Sequence, residues 1–215
     1  MNRLEQFYDA LMARYGPQHW WPVTPGTPAA LAPWEIAAGA VLTQNTSWRN
    51  VETAIARLHE AGELTPERIR DLPHDELAEL IRPTRYFNVK VGRLQALAGW
   101  WCEHRPHPRQ GDRHQLRRSL LAVHGVGEET ADSILLYALG HTNFMIDAYT
   151  RRVVIRHGLA EERVTYGELK ALFEEALPHD HQLFNEYHAL IVAVGQEHCK
   201  PTPQCEGCPL ACFLD

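Results

Sequence analysis

Leu121-Ala122-Val123-His124-Gly125-Val126-Gly127-Glu128-Glu129-Thr130-Ala131 reads as helix, tight turn, helix. Gly125 and Gly127 permit positive φ and a close backbone approach. The amide N–H groups that open the second helix lack partners within it, and such groups hold a phosphate. Contacts of that kind position a nucleic acid without reading its bases. The pattern also fits an ordinary αα-hairpin, and on this segment alone both readings stand.

Outward from the hairpin, the apolar residues recur with a helical period almost throughout. Leu4, Phe7, Tyr8, Leu11 and Met12 form one stripe. Pro33 stands where a helix through Trp34 to Leu42 would begin, and Val51, Ile55 and Leu58 mark the next. Thr65-Pro66-Glu67-Arg68 reads as a cap, a first-turn proline and an acidic first turn. Helices are expected at 75–81, 88–101, 113–122, 128–139, 147–157, 166–176 and 181–194, and no segment alternates as a strand does. The loops at 22–28, 105–112 and 200–209 are Pro-rich or polar. These features predict an all-α protein of about ten short helices.

The chain has 215 residues with 45% hydrophobic content, enough for one large domain or two small interlocked ones. No run of eighteen apolar residues is present, and the first residues carry no signal-like apolar stretch, so a cytoplasmic protein is expected. The formal net charge is −6, where a non-specific DNA coat should be basic. Distribution matters more than the sum. Arg105, Arg109, Arg113, Arg117 and Arg118 precede the hairpin, and Arg151, Arg152 and Arg156 follow it. The acidic residues gather at 60–79 and 161–175. Solvated helix faces would give the same distribution.

Two further segments carry chemistry. Cys199, Cys205, Cys208 and Cys212, spaced C-x5-C-x2-C-x3-C, crowd the last seventeen residues. Thiolates this close commonly share a metal, and a lone fifth cysteine, Cys102, speaks against a disulfide framework. Iron–sulfur and zinc both suit four thiolates, with His198 an alternate zinc ligand. Ile146-Asp147-Ala148-Tyr149-Thr150-Arg151-Arg152 places Asp147 where a helix would start, so a helix N-cap is one reading of it.

Together these residues carry a resemblance. The 121–131 segment resembles the helix-hairpin-helix of the endonuclease III (HhH-GPD) superfamily, usually L-P-G-V-G-x-K-T-A. Ile146 to Arg152 resembles that family's V-D-T-H-x-x-R. Val41-Leu42-Thr43-Gln44-Asn45-Thr46 is similar to its L-x-x-Q-x-T segment, with Val41 in place of the Leu. The terminal cysteines are similar to its [4Fe–4S] loop, although the usual spacing there is C-x6-C-x2-C-x5-C. The resemblance runs from about Pro33 to Cys212.

The resemblance implies a base-excision-repair DNA glycosylase with two helical lobes: residues 27–140 as a helical barrel ending in the hairpin, and 1–26 with 141–215 as a cluster lobe. Double-stranded DNA with a damaged base would bind across a cleft with Asp147 at its mouth, and the protein would be a monomer. Asp147 becomes the catalytic carboxylate, because breaking an N-glycosidic bond builds positive charge on the sugar. Gln44, Gly125, Val126, Gly127, Thr130 and Arg151 are the expected DNA contacts, Gln44 as a wedge in the gap left by a flipped base. Cys199, Cys205, Cys208 and Cys212 become the cluster ligands, with zinc the alternative.

Two departures shape the expected reaction. Bifunctional members carry a Lys where this chain has Glu129, and a carboxylate cannot form a Schiff base, so a monofunctional enzyme using water is expected. His124 replaces the usual Pro, and the glycines keep the turn. Trp20, Trp21, Trp48 and Glu129 occupy positions similar to those lining the pocket of the superfamily's 3-methyladenine glycosylases, and a cationic alkylated purine stacks well on indole. Core packing explains any single tryptophan equally well. A uracil, thymine or adenine mismatch glycosylase, and a non-catalytic DNA-binding iron–sulfur protein, are the competing readings.

Overall fold

In the computed structural model the described residues are 2–62, 64–107 and 110–214. Arg109 of the basic run and Glu63 of the acidic stretch lie outside them. Among the described residues the regular structure is entirely helical, and no helix is long and apolar enough to cross a membrane. The chain divides into two compact units, residues 21–141 and residues 1–20 with 142–215.

The 21–141 unit is built on α2 (Ala32–Leu42), whose every residue from Trp34 to Leu42 is buried. A helix apolar on all sides belongs inside a bundle. α6 (Phe87–His104) packs on α2 and also on α4 (Pro66–Asp71) and α5 (His74–Ile81). α3 (Trp48–Glu60) turns Val51, Ala54, Ile55 and Leu58 inward. Thr65 caps α4 by accepting from the Arg68 amide, with Pro66 in the first turn.

Among the described residues three charged groups are buried in this unit, Glu35, Lys90 and Asp132, and each is satisfied, Asp132 by Arg117. Glu35 accepts from the Thr24 amide (2.6 Å), the Thr27 hydroxyl (2.7 Å) and His59 Nε2 (2.9 Å). Lys90 donates to the carbonyls of Leu42 and Thr84, both at 2.7 Å, and burial, then the nearby Arg93 charge, lower its pKa to about 8.

The hairpin joins α7 (Arg113–Leu121) to α8 (Glu128–Ser133). The single α-helix expected over 128–139 is not what forms. After Ser133 the backbone widens into a π-helical stretch, Ile134–Ala138, and the Leu139 amide bonds Ile134 O at 2.9 Å. Ile134, Leu135, Leu136, Tyr137 and Ala138 are all buried. The wider turn inserts a residue without breaking the apolar run, so hydrophobic periodicity does not reveal it.

The other unit holds α1 (Arg3–Tyr15), α9 (Ala148–Arg156), α10 (Tyr166–Ala176) and α11 (His181–Glu197). Capping boxes open two of them, Asn2 with Glu5 at α1 and Thr165 with Glu168 at α10. Phe144 stacks on Phe173 (4.1 Å between ring centroids) and meets Phe184 and Tyr187 edge-on. The buried Tyr187 hydroxyl donates to Leu4 O at 2.7 Å and ties α11 to α1. Gly195 admits the Tyr149 ring, since a Cβ there would lie 2.4 Å from Tyr149 Cδ1, and this lets α9 lie against α11.

Candidate functional site

Asp147 is the N-cap of α9. Its Oδ1 accepts from the Thr150 amide at 2.7 Å, and its Oδ2 lies 3.5 Å from Nε2 of His188 on α11. The carboxylate is 12% exposed and the imidazole 3%. Burial pushes the Asp147 carboxyl up, but the His188 ring and the Thr150 hydrogen bonds outweigh it and hold the group below the ordinary carboxylate range. Cap and reactive carboxylate are therefore compatible roles, because the cap bond occupies one oxygen and the second faces a different partner. The Trp20 indole meets the His188 ring edge-on at 5.9 Å. Nothing in the pattern of α11 singles out His188, which lies in an otherwise apolar stretch of that helix.

In the 21–141 unit, the hairpin glycine has a steric reason. Gly125 sits at φ +81°, and a Cβ there would lie 2.2 Å from Arg93 Cγ. Arg93 also donates to Gln44 Oε1 at 2.6 Å, while Gln44 Nε2 donates to Gly125 O (3.1 Å) and Thr130 Oγ1 (3.0 Å). The Gln44 amide is thus bonded to the hairpin, and a wedge role would draw it away from those partners. Arg93 is a residue the motif reading did not find. Val126 and Thr130 are buried, whereas Gly127 and Glu129 are exposed.

Trp21 meets Trp48 edge-on at 5.2 Å and Tyr137 at 5.1 Å, and its indole lies against Gly39 of α2. Tyr137 enters this cluster from the π-helical stretch, which is why periodicity did not nominate it. Beside Gln44, Asn45 has φ +54°. On a second loop Arg85 and Tyr86 have φ +60° and +46°, and Tyr86 is 70% exposed. Lys90 links the two loops through Leu42 O and Thr84 O. Non-glycine residues held in this region are strained, and such strain gathers at functional sites.

The arginines after Asp147 turn inward. Arg151 donates to the carbonyls of Val164 (2.6 Å) and Glu162. Arg152 donates to Cys199 O. Arg156 donates to Pro201 O at 2.7 Å and approaches Cys199 Sγ at 3.2 Å. The cause is local: the segments near Glu162 and Cys199 leave carbonyls that a guanidinium fork can satisfy.

Cys199, Cys205 and Cys208 line one cavity with Arg156, His157, His198 and Leu210, while Cys212 lies in the short 3₁₀ turn Ala211–Phe213. Burial, and then the neighbouring Cys205 and Cys199 sulfurs, push the Cys208 thiol up, a situation that a bound cation reverses. Among the described residues no three His, Cys, Asp or Glu side chains are arranged to hold one metal ion. Four thiolates in one short loop are a donor set that suits iron–sulfur and zinc alike.

The sequence profile of the HhH-GPD superfamily base excision DNA repair proteins matches residues 38–179. A Methanocaldococcus jannaschii protein named as a candidate DNA repair glycosylase, MJ1434, is 41% identical over 97% of this chain and 94% of its own length. Endonuclease III of Sulfolobus acidocaldarius is 29% identical over 78% of this chain and 75% of its own. Among solved structures, the Helicobacter pylori 3-methyladenine DNA glycosylase MagIII bound to 1,N6-ethenoadenine superposes with a TM-score of 0.67. It is 26% identical, over 92% of this chain and 98% of that one. An endonuclease III–DNA complex shares the fold, with a TM-score of 0.77 at 23% identity over 100% of this chain and 96% of that one. The chain belongs to the HhH-GPD superfamily of base excision DNA repair proteins.

Proposed function

We propose that this protein is a monofunctional DNA glycosylase that hydrolyses the N-glycosidic bond of alkylated purines in double-stranded DNA. The observation that carries the reading is Asp147: a carboxylate kept ionised in a largely buried setting, held through one oxygen by Thr150 and faced by His188 at the other. A fixed negative charge stabilises the cationic sugar that forms as the base departs. Glu129 stands where a Lys nucleophile would be needed, so water completes the reaction and the DNA strand is left unbroken.

The aromatic set supports the substrate class. Trp21, Trp48 and Tyr137 present indole and phenol rings, Trp20 stands beside His188, and Glu129 adds an exposed carboxylate. A cationic methylated base gains from both, and it leaves without a strong general acid. The Helicobacter pylori relative is named for 3-methyladenine and was solved with a modified adenine, which agrees with this choice. Gln44, Gly125, Val126, Gly127, Thr130 and Arg151 remain the proposed DNA-contacting set, with Gln44 and Arg151 exchanging the partners they hold here for the duplex, and the protein acts as a monomer in the cytoplasm.

Cys199, Cys205, Cys208 and Cys212 would hold a [4Fe–4S] cluster. Its contribution would be structural, crosslinking the C-terminal loop, and no step of base release passes through it. The deciding experiment is base release from duplexes carrying 3-methyladenine, 7-methylguanine, uracil or mismatched thymine. Release of the methylated purines with an intact strand is expected. Efficient release of uracil or thymine alone would assign the mismatch reading instead, and release of no base would assign a DNA-binding protein.

A further inference from the structure

We propose that His188 is the positioning residue for the Asp147 carboxylate, fixing the oxygen that the helix cap leaves loose. The inference rests on the reading of Asp147 as the group that faces the sugar. An N-cap bond such as Thr150 N to Oδ1 holds one oxygen and leaves the carboxylate free to swing about Cβ–Cγ. The swing is blocked by a second point of contact, and His188 Nε2 supplies it at 3.5 Å from Oδ2. The imidazole cannot readily move away. It is 3% exposed on α11, with Phe184, Tyr187, Ala189, Leu190, Ile191 and Val192 also buried on that helix, and Trp20 stands edge-on to its ring.

Polar burial of this kind is costly unless the ring serves a partner. His188 Nε2 faces Oδ2 at 3.5 Å, the long edge of hydrogen-bonding range, and this contact favours the ring proton on that nitrogen. The outcome is a carboxylate whose plane and aim are set before DNA arrives. Preorganisation matters here because the charge must meet a cation that exists only in the transition state. A carboxylate displaced by about 1 Å forfeits roughly a hundredfold in rate. Trp20 belongs to the same line of contacts, so the ring that would stack a base also buttresses the ring that aims the carboxylate.

The test uses the full-length protein and four variants: Asp147→Asn, His188→Leu, His188→Gln and the double variant Asp147→Asn/His188→Leu. Single-turnover release is measured on a 3-methyladenine duplex, and binding on a duplex with a tetrahydrofuran abasic analogue. His188→Leu should lower the release rate about 10- to 100-fold, the cost of a misaimed group, with binding unchanged within about twofold. His188→Gln places an amide N–H near the Nε2 position and should restore most of the rate. The double variant should be no slower than Asp147→Asn alone, because both act through one carboxylate. Long-range ¹H–¹⁵N correlation should show His188 protonated at Nε2, a readout that needs no activity.

A bare Nε2 with the proton on Nδ1 would overturn the proposal, whatever the enzyme does. So would a His188→Leu protein as fast as wild type while Asp147→Asn is inactive. If Asp147→Asn keeps the wild-type rate, the reading of Asp147 falls and His188 falls with it. If the wild type releases no base, the glycosylase reading falls by itself, and the tautomer still decides whether His188 holds Asp147.

Discussion

Arg117 grips Asp132 with two parallel bonds, Nε to Oδ1 at 2.8 Å and Nη2 to Oδ2 at 3.0 Å, and so ties α7 to α8 across the glycine turn. Asp132 is fully buried, and Arg117 also reaches Glu128 at 3.2 Å. Removing the guanidinium strands a buried carboxylate, so Arg117→Met should cost about 3–5 kcal/mol in urea unfolding. Arg82→Met breaks an exposed pair with Glu79 and should cost less than about 1 kcal/mol. Equal losses in the two variants would show that the Arg117 bridge does not organise the hairpin.

Asp147 should leave a signature in acid. Its carboxyl is held below the ordinary range because His188 and Thr150 outweigh burial. A depressed folded pKa contributes stability that is present above the unfolded value of about 3.9 and is lost as pH falls through the lower folded value. Asp147→Asn should therefore flatten the stability profile below about pH 4 while cutting base release by orders of magnitude. An unchanged acid profile would mean that the carboxyl is not held as the contacts indicate.

The all-helical class was legible from hydrophobic period, and several boundaries were legible from chemistry: Thr65-Pro66 opens α4, and Tyr166–Ala176 forms as one helix as expected. Family motifs pointed to the superfamily because glycine spacing, a capping Asp and clustered cysteines are local signals. What stayed hidden was non-local. His188 reaches Asp147 from a helix about forty residues on. Arg93 fills the space that Gly125 leaves open. Tyr137 joins Trp21 only because the backbone widens after Ser133. Side-chain partners of this kind depend on packing that no window of sequence contains.

Absence of a Schiff base is the third expectation. Borohydride added during turnover of a methylated duplex should trap no protein–DNA crosslink, since Glu129 replaces the amine. Lys90, with a pKa lowered to about 8, has its Nζ engaged by Leu42 O and Thr84 O and stays buried. A robust crosslink would refute monofunctionality, and its disappearance in Lys90→Met would identify the amine.

The cysteine loop gives a fourth. Anaerobically purified protein should contain about four irons and absorb broadly in the visible range. Cys205→Ser should lower the iron content and destabilise the unit holding α1, α9, α10 and α11, with far-UV helicity of the 21–141 unit largely kept. Stoichiometric zinc in colourless protein would assign the other metal.

Substrate preference is tested by separating charge from shape. Glu129→Gln keeps the side-chain outline and removes the negative charge. It should slow release of cationic 3-methyladenine more than release of neutral 1,N6-ethenoadenine, because only the first gains from a nearby carboxylate. Trp21→Ala removes the ring that both Trp48 and Tyr137 contact. Base stacking is worth about 1–3 kcal/mol, so this change should slow excision of either base by roughly one to two decades. Tyr137→Phe keeps the ring and should leave both rates close to wild type, whereas Tyr137→Leu should resemble a weaker form of Trp21→Ala. If Glu129→Gln slowed both bases equally, the carboxylate would be acting on the DNA or the fold rather than on the charge of the base, and preference for cationic purines would have to be sought in the aromatic rings alone.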